Sequence, residues 1–341
     1  MTTTLPAPAA ADPEASPNPE SLMAIASGFM SAKHLFAASE LGLFEALADA
    51  PATIDALAAR AGLTRRTARI SADAMVALGV LERSGDLYAN SPTAAAFLTG
   101  RTPMDLRPFL KFWDRVSYPT WTSLAQALAD GKPPRQVFEL DDELQEIVSS
   151  GIEAVLAGPA NALPRVVDLT GQRSLLDIGG GTGSWSIAAA RRYRSLRIAV
   201  FELPVTAEIA RRRIAAAGLD DRISVHAGDA MADDLPPGHD VFLLANLIHY
   251  RSPADNIALL RRVRDAAPAD GRLLLADFWT NATHTEPVHA SLMAGEFAVH
   301  LRDGDVYSVD EVRDWLPDAG WRFVEHRPLA GPQSLIVAEV D

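Results

Sequence analysis

The 341-residue chain contains no cysteine, which excludes disulfides and thiolate metal sites and is compatible with a reducing cytoplasm, the compartment expected here. It is short of positive charge. Against 44 acidic residues stand 31 Lys and Arg, a net charge of −13, so a polyanionic nucleic acid is not an expected partner. It also lacks any apolar run approaching the roughly 18 residues of a membrane span, and no basic stretch followed by a hydrophobic one marks the N-terminus as an export signal. Aromatics make up only 7%, but total hydrophobic content is 48%, enough for two buried cores, and a globular enzyme is the expected class, with small or cationic ligands left open.

Residues 1–20 hold mainly Ala, Pro, Thr and acids without periodicity and read as a disordered tail. From Ser21 apolar residues recur at helical spacing, from Met23, Ile25, Phe29 and Met30 to Leu43, Phe44 and Leu47, with Gly42 as a break. Helices are expected at 54–61 and 65–78, followed by a two-stranded wing around Ser84-Gly85-Asp86. That is the order of a winged helix. Residues 21–105 carry seven basic and eight acidic side chains, so Arg65, Arg66 and Arg69 do not belong to a basic stripe and DNA binding is not the expected use. Between 106 and 165 a helical connection gathers Phe109, Phe112, Trp113, Tyr118, Trp121 and Phe138.

The chemistry is concentrated further on. Ser174-Leu-Leu-Asp177-Ile-Gly179-Gly-Gly181-Thr-Gly183 is an apolar strand entering a glycine turn and then a helix, the arrangement that brings a nucleotide to a helix N-terminus. A dinucleotide Gly-x-Gly-x-x-Gly fingerprint would need glycine at 184 or 186, and both are serine. Glu202 ends the next apolar strand, 25 residues after Asp177, where an acid can hold two ribose hydroxyls. Gly228-Asp229-Ala230 follows a third strand, and a fourth leads into Ala245-Asn246-Leu247-Ile248-His249.

This set, Asp177-x-Gly179-x-Gly181-x-Gly183 with its downstream acids, resembles the first motifs of class I S-adenosylmethionine (SAM) methyltransferases. From Ser21 onward the order of parts is similar to the small-molecule O-methyltransferases, the family of the caffeate and acetylserotonin enzymes and of bacterial antibiotic-tailoring enzymes. The resemblance implies an α/β fold: a Rossmann-like SAM-binding sheet at 166–341, a winged-helix homodimerisation domain at 21–105, and a helical linker at 106–165 that roofs the active site. It implies SAM contacts from Asp177, Gly179, Gly181, Gly183, Glu202, Leu203, Gly228, Asp229, Ala230 and Asn246, and a substrate wall from Trp113, Tyr118, Trp121, Met293 and Phe297. It makes His249 the general base for an acceptor hydroxyl and Asp277 its orienting acid. Two departures are visible: the family's His-Asp-Trp is here His249-Tyr250-Arg251, and residues 305–308 supply no glutamate where the plant enzymes have a second orienting acid.

A histidine fits the task, because an imidazole with pKa near 6.5 is a suitable base for a phenol at neutral pH. A second reading stays open. The run 286–299 reads as a helix on which Glu296 and His300 share a face, and with His249 they are the ligand types of an iron or zinc site. Relatives with this two-domain plan methylate the β-carbon of α-keto acids in that way. A third reading is a SAM-binding protein of this fold without methyl transfer.

Overall fold

The computed structural model describes residues 17–134, 136 and 139–341; most of the expected tail, and Phe138, lie outside them. Contacts divide the chain into two units, one running to Pro119 with Glu146–Ala154 added, the other Thr120–Gln145 with Val155–Asp341.

The first unit begins with α1 (Glu20–Ser27), α2 (Phe29–Glu40) and α3 (Leu43–Ala46), with Gly42 left-handed at the last junction (φ 68°). Strand β1 (Ala52–Thr53) precedes α4 (Ile54–Ala61) and α5 (Arg65–Ala77), which start where Thr53 and Thr64 accept hydrogen bonds from the backbone N–H groups of Ala56 and Thr67. The wing is β2 (Leu81–Ser84) and β3 (Leu87–Asn90), and β3 also pairs with β1. Helices α6 (Pro92–Phe97) and α7 (Arg107–Phe112), a π turn at Trp113–Ser117 and the start of α8 (Tyr118–Trp121) follow. Phe36, Leu43, Phe44, Leu57, Met75 and Leu81 form the core. Helix α1 buries none of its residues; Leu22, Met23 and Ile25 are 69%, 65% and 71% exposed.

The second unit is built on a seven-stranded sheet: β4 (Ser174–Ile178), β5 (Arg197–Glu202), β6 (Ile223–Ala227), β7 (Val241–Ala245), β8 (Arg272–Asp277), β9 (Trp321–Ala330) and β10 (Gln333–Val340). Its order is β6-β5-β4-β7-β8-β10-β9, with β10 running opposite to the other six strands. Alternate residues face opposite layers: Leu175, Leu243 and Leu274 enter one core, Leu176, Phe242 and Leu273 the other. The first layer includes α11 (Ser184–Arg192), α12 (Pro204–Ala216) and the end of α10 (Asp142–Val166); the second holds α13 (Pro253–Ala266) and α15 (Val309–Asp318). Helices α9 (Leu124–Asp130) and α14 (Val288–His300) pack together. Strand order reverses at β4, whose neighbours are β5 and β7, so a crevice forms at the carboxyl ends of these strands. Among the described residues no helix is long and apolar enough to cross a membrane.

Candidate active site

Five parallel strands deliver the expected residues to one edge of the sheet: Asp177 near the end of β4, Glu202 at the end of β5, Gly228 after β6, Asn246 after β7 and Asp277 at the end of β8. Gly179, Gly181 and Gly183 all take positive φ (64°, 56° and 87°), which side chains with a Cβ rarely adopt, so the turn requires glycine at alternate positions. Gly180 is required for space, because a Cβ there would lie 2.7 Å from Cγ of Asp177. The Asp177 carboxyl is fully buried and accepts a hydrogen bond from the Ser186 hydroxyl at 2.6 Å. Burial pushes its pKa up to about 7, against the Ser186 bond, and the nearby Glu202 charge adds to the rise. Ser186, the residue that breaks the dinucleotide pattern, therefore supports the turn from within.

Glu202 accepts from the backbone N–H of Gly181 at 2.9 Å and of Leu203 at 2.7 Å, tying the end of β5 to the glycine turn. Leu203 opens α12 and is half exposed. Gly228 packs on Phe201, where a Cβ would sit 2.4 Å from the ring, and its amide bonds to the Glu202 carbonyl at 2.9 Å. Asp229 accepts from the Met231 amide at 2.8 Å, with Ala230 buried between them. Asn246 is left-handed (φ 53°), its amide bonded to the Ala276 carbonyl, and its side-chain oxygen accepts from the Gln333 amide of β10. Its buried Nδ2 has no hydrogen-bond partner among the described residues, leaving a donor for a ligand. Open space over Gly181, acids on β5 and after β6, and this donor fit a nucleoside with ribose hydroxyls and an amino-bearing base.

His249 lies in a 3-10 turn, Ile248–Tyr250, that the buried Asn256 pins by donating to the Ile248 and Arg251 carbonyls at 3.0 and 3.2 Å. Its Nδ1 is 2.7 Å from Oδ1 of Asp277, and both residues are buried. The Phe278 amide also donates to that oxygen, at 2.9 Å. With Asp277 accepting, Nδ1 carries the proton and Nε2 is left as the basic nitrogen. Phe297 stacks on the imidazole, centroids 4.1 Å apart and planes 4° from parallel, and Tyr250 lies on it at 4.6 Å. Burial pushes the Tyr250 phenol up to about 12, so it stays neutral. No expectation attached a role to Phe278, Asn256, Gln333 or Ser186; only the change from Asp to Tyr after His249 signalled that the surroundings of the base differ.

Two of the three residues of the metal reading lie together. Among the described residues no three histidines and acids are placed to hold an ion. Glu296 and His300 share a face of α14, as their spacing implied, with Oε1 and Nε2 3.2 Å apart; Glu296 also takes the indole N–H of Trp121, and His249 turns Nδ1 to Asp277. That helix runs over Val288–His300 rather than from 286. Of the expected substrate wall, Phe297 and Met293 cluster with Phe278 and Tyr250, while Trp121 lies against Gly295. Trp113 and Tyr118 belong to the first unit, Trp113 between Phe109 and Phe112 and Tyr118 beneath the Lys33 ammonium at 4.9 Å.

Residues 124–322 match the model of the O-methyltransferase domain, and residues 23–100 that of the O-methyltransferase dimerisation domain. The chain belongs to the O-methyltransferase family. This methyltransferase is 33% identical to the 3-hydroxy-5-methyl-1-naphthoate 3-O-methyltransferase of Streptomyces sahachiroi, covering 92% of each chain. It is 32% identical to the N,N-dimethyltransferase OxyT of Streptomyces rimosus over 94% of each. Its fold matches the solved structure of PigF with SAH at a TM-score of 0.82, with 28% identity over 95% of this chain and 100% of the other. It is a SAM-dependent methyltransferase.

Proposed function

We propose that this methyltransferase transfers the methyl group of SAM to a hydroxyl on a small aromatic secondary metabolite, with His249 as general base. The carrying observation is the buried His249–Asp277 pair, 2.7 Å apart, at the strand ends that also present the glycine turn. SAM, when bound, supplies an electrophilic sulfonium methyl. The protein's share is to align the acceptor and take its proton. Asp277 fixes the imidazole tautomer and stabilises the imidazolium once Nε2 has taken the hydroxyl proton, and Phe297 holds the ring plane. Glu202 is assigned to the ribose, Asp229 to the adenine amine, and Gly179, Gly181, Gly183, Asp177, Leu203, Gly228, Ala230 and Asn246 to the surrounding cradle. A base is needed for a hydroxyl acceptor, and the naphthoate relative is named for one. The first unit is assigned to a homodimer, because α1 leaves its apolar residues exposed and the dimerisation model covers it in part. Incubation with SAM and hydroxynaphthoates, read by mass spectrometry for a methyl ether and S-adenosylhomocysteine, tests the reading. His249→Ala should form no ether while binding SAM as the wild type does; retained turnover would remove His249 as base.

A further inference from the structure

Glu296 is a buried acid to which the base, its orienting partner and the cofactor cradle give no task. It stands between Gly295 and Phe297 in α14, 5% exposed, where a carboxylate is costly unless hydrogen-bonded. One oxygen accepts the indole N–H of Trp121, 175 residues earlier, and the other lies 3.2 Å from Nε2 of His300, one turn further along. The indole closes on the helix at Gly295, where a Cβ would come within 2.9 Å of its Cη2. The next residue, Phe297, is the one that stacks on His249. One helix thus grips an indole through Glu296 and the base through Phe297.

We propose that Glu296 is a positioning residue for the methyl acceptor: its carboxylate locks the Trp121 indole against α14, so that Trp121 and Phe297 present a fixed aromatic wall to a planar aromatic substrate. This rests on the reading of His249 as base. An apolar residue at 296 would pack as well but would leave the indole N–H without its acceptor, and the ring would lose its fixed seat. Rigidity of this kind favours binding of the acceptor over the chemical step, since an ordered wall has less freedom to lose when the substrate docks.

Two measurements on the full chain decide it. In 15N-labelled protein the Trp121 indole N–H, identified among six tryptophans by its loss in W121F, should resonate downfield and exchange slowly with solvent. E296A should move it to the position of a free indole, and E296Q, which keeps an oxygen acceptor, should hold it. With SAM and 3-hydroxy-2-naphthoate as probe, W121F and E296A should each raise the acceptor KM at least tenfold with kcat within threefold, while E296Q stays within threefold on both. The double variant should be no worse than the worse single, and SAM affinity should not change. An indole signal unmoved by E296A, or unchanged KM in active W121F and E296A, overturns the proposal. If the wild type does not methylate the probe, the aromatic-hydroxyl reading fails on that probe, and the indole signal alone then decides the lock: moved by E296A it stands, unmoved it falls.

Discussion

The imidazole of His249 lies almost parallel to the Phe297 ring, 4.1 Å from it, and meets Asp277 edge-on through Nδ1. Plane and tautomer are therefore set by different residues, and their loss should differ in size. Asp277→Asn can no longer favour the imidazolium and should lower kcat by about 10²-fold or more. Phe297→Leu keeps an apolar contact but removes the stack, worth about 0.5–1.5 kcal/mol, and should cost no more than about tenfold. Steady-state kinetics on both variants checks the order; a larger loss in Phe297→Leu would mean that the ring does more than hold the base.

Glu202 should prove to be the acid that most affects cofactor affinity. Its carboxylate accepts from the Gly181 and Leu203 amides at the rim of the glycine turn. Glu202→Ala should weaken SAM binding by about 1.5–3 kcal/mol, the range for charge-assisted hydrogen bonds, without unfolding the sheet. Titration calorimetry measures it, and an unchanged dissociation constant would reassign the ribose site.

Much of this site could be read from the chain because strand ends and glycine turns are local. The strand 174–178, the acid at 202 and the histidine after 245 follow from short apolar runs, and the structure has β4, β5 and β7 there. What escaped depends on residues distant in sequence. Gln333 reaches Asn246 from β10, and Asn256 pins the turn of His249 from α13. Helix α14 is apolar on most of its surface, so helical spacing could not say which face meets the base. The spacing put Glu296 and His300 on one face of the helix, but it could not show that Trp121, 175 residues earlier than Glu296, donates its indole N–H to that carboxylate.

The two central glycines of the turn separate conformation from space. Over Gly181 nothing lies within 4 Å of a built Cβ, so Gly181→Ala meets only the positive φ and should cost about 1–2 kcal/mol of stability. Gly180→Ala would press on the Asp177 carboxyl and force the buried Ser186–Asp177 bond to shift, costing about 1–3 kcal/mol. SAM binding tells them apart more sharply: a turn displaced from beneath should lose affinity in Gly180→Ala more than in Gly181→Ala. Equal affinities would mean that the Asp177 carboxyl moves aside freely.

Homodimerisation through the first unit should be sensitive to α1. Ile25 is 71% exposed and Met23 65%, on a helix that buries none of its own residues. Exposed apolar surface of that kind is characteristic of an obligate interface. Sedimentation should give twice the 36.5 kDa chain mass for the wild type and the single mass for a Met23→Glu, Ile25→Glu variant. A wild-type monomer at all concentrations would overturn the assignment.

Asp177 should leave a signature in the pH dependence of stability. Its carboxyl has an ordinary value of 3.8 and is raised to about 7 by burial in the folded protein. Between those values the folded state holds a proton that the unfolded chain has released. Stability contributed at low pH is therefore lost as pH rises from about 4 to about 7, and the loss is complete above that. Asp177→Asn cannot ionise, so its stability relative to the wild type should improve across the same window, by at most about 4 kcal/mol for a shift of this size. Urea unfolding of both proteins at intervals from pH 4 to pH 8 provides the comparison. Parallel curves would mean that the carboxyl ionises alike in both states and that Ser186 together with the turn amides offsets its burial. Curves that converge toward acid and separate toward pH 8 would show that the glycine turn is built over a carboxylic acid that stays largely protonated until near neutrality.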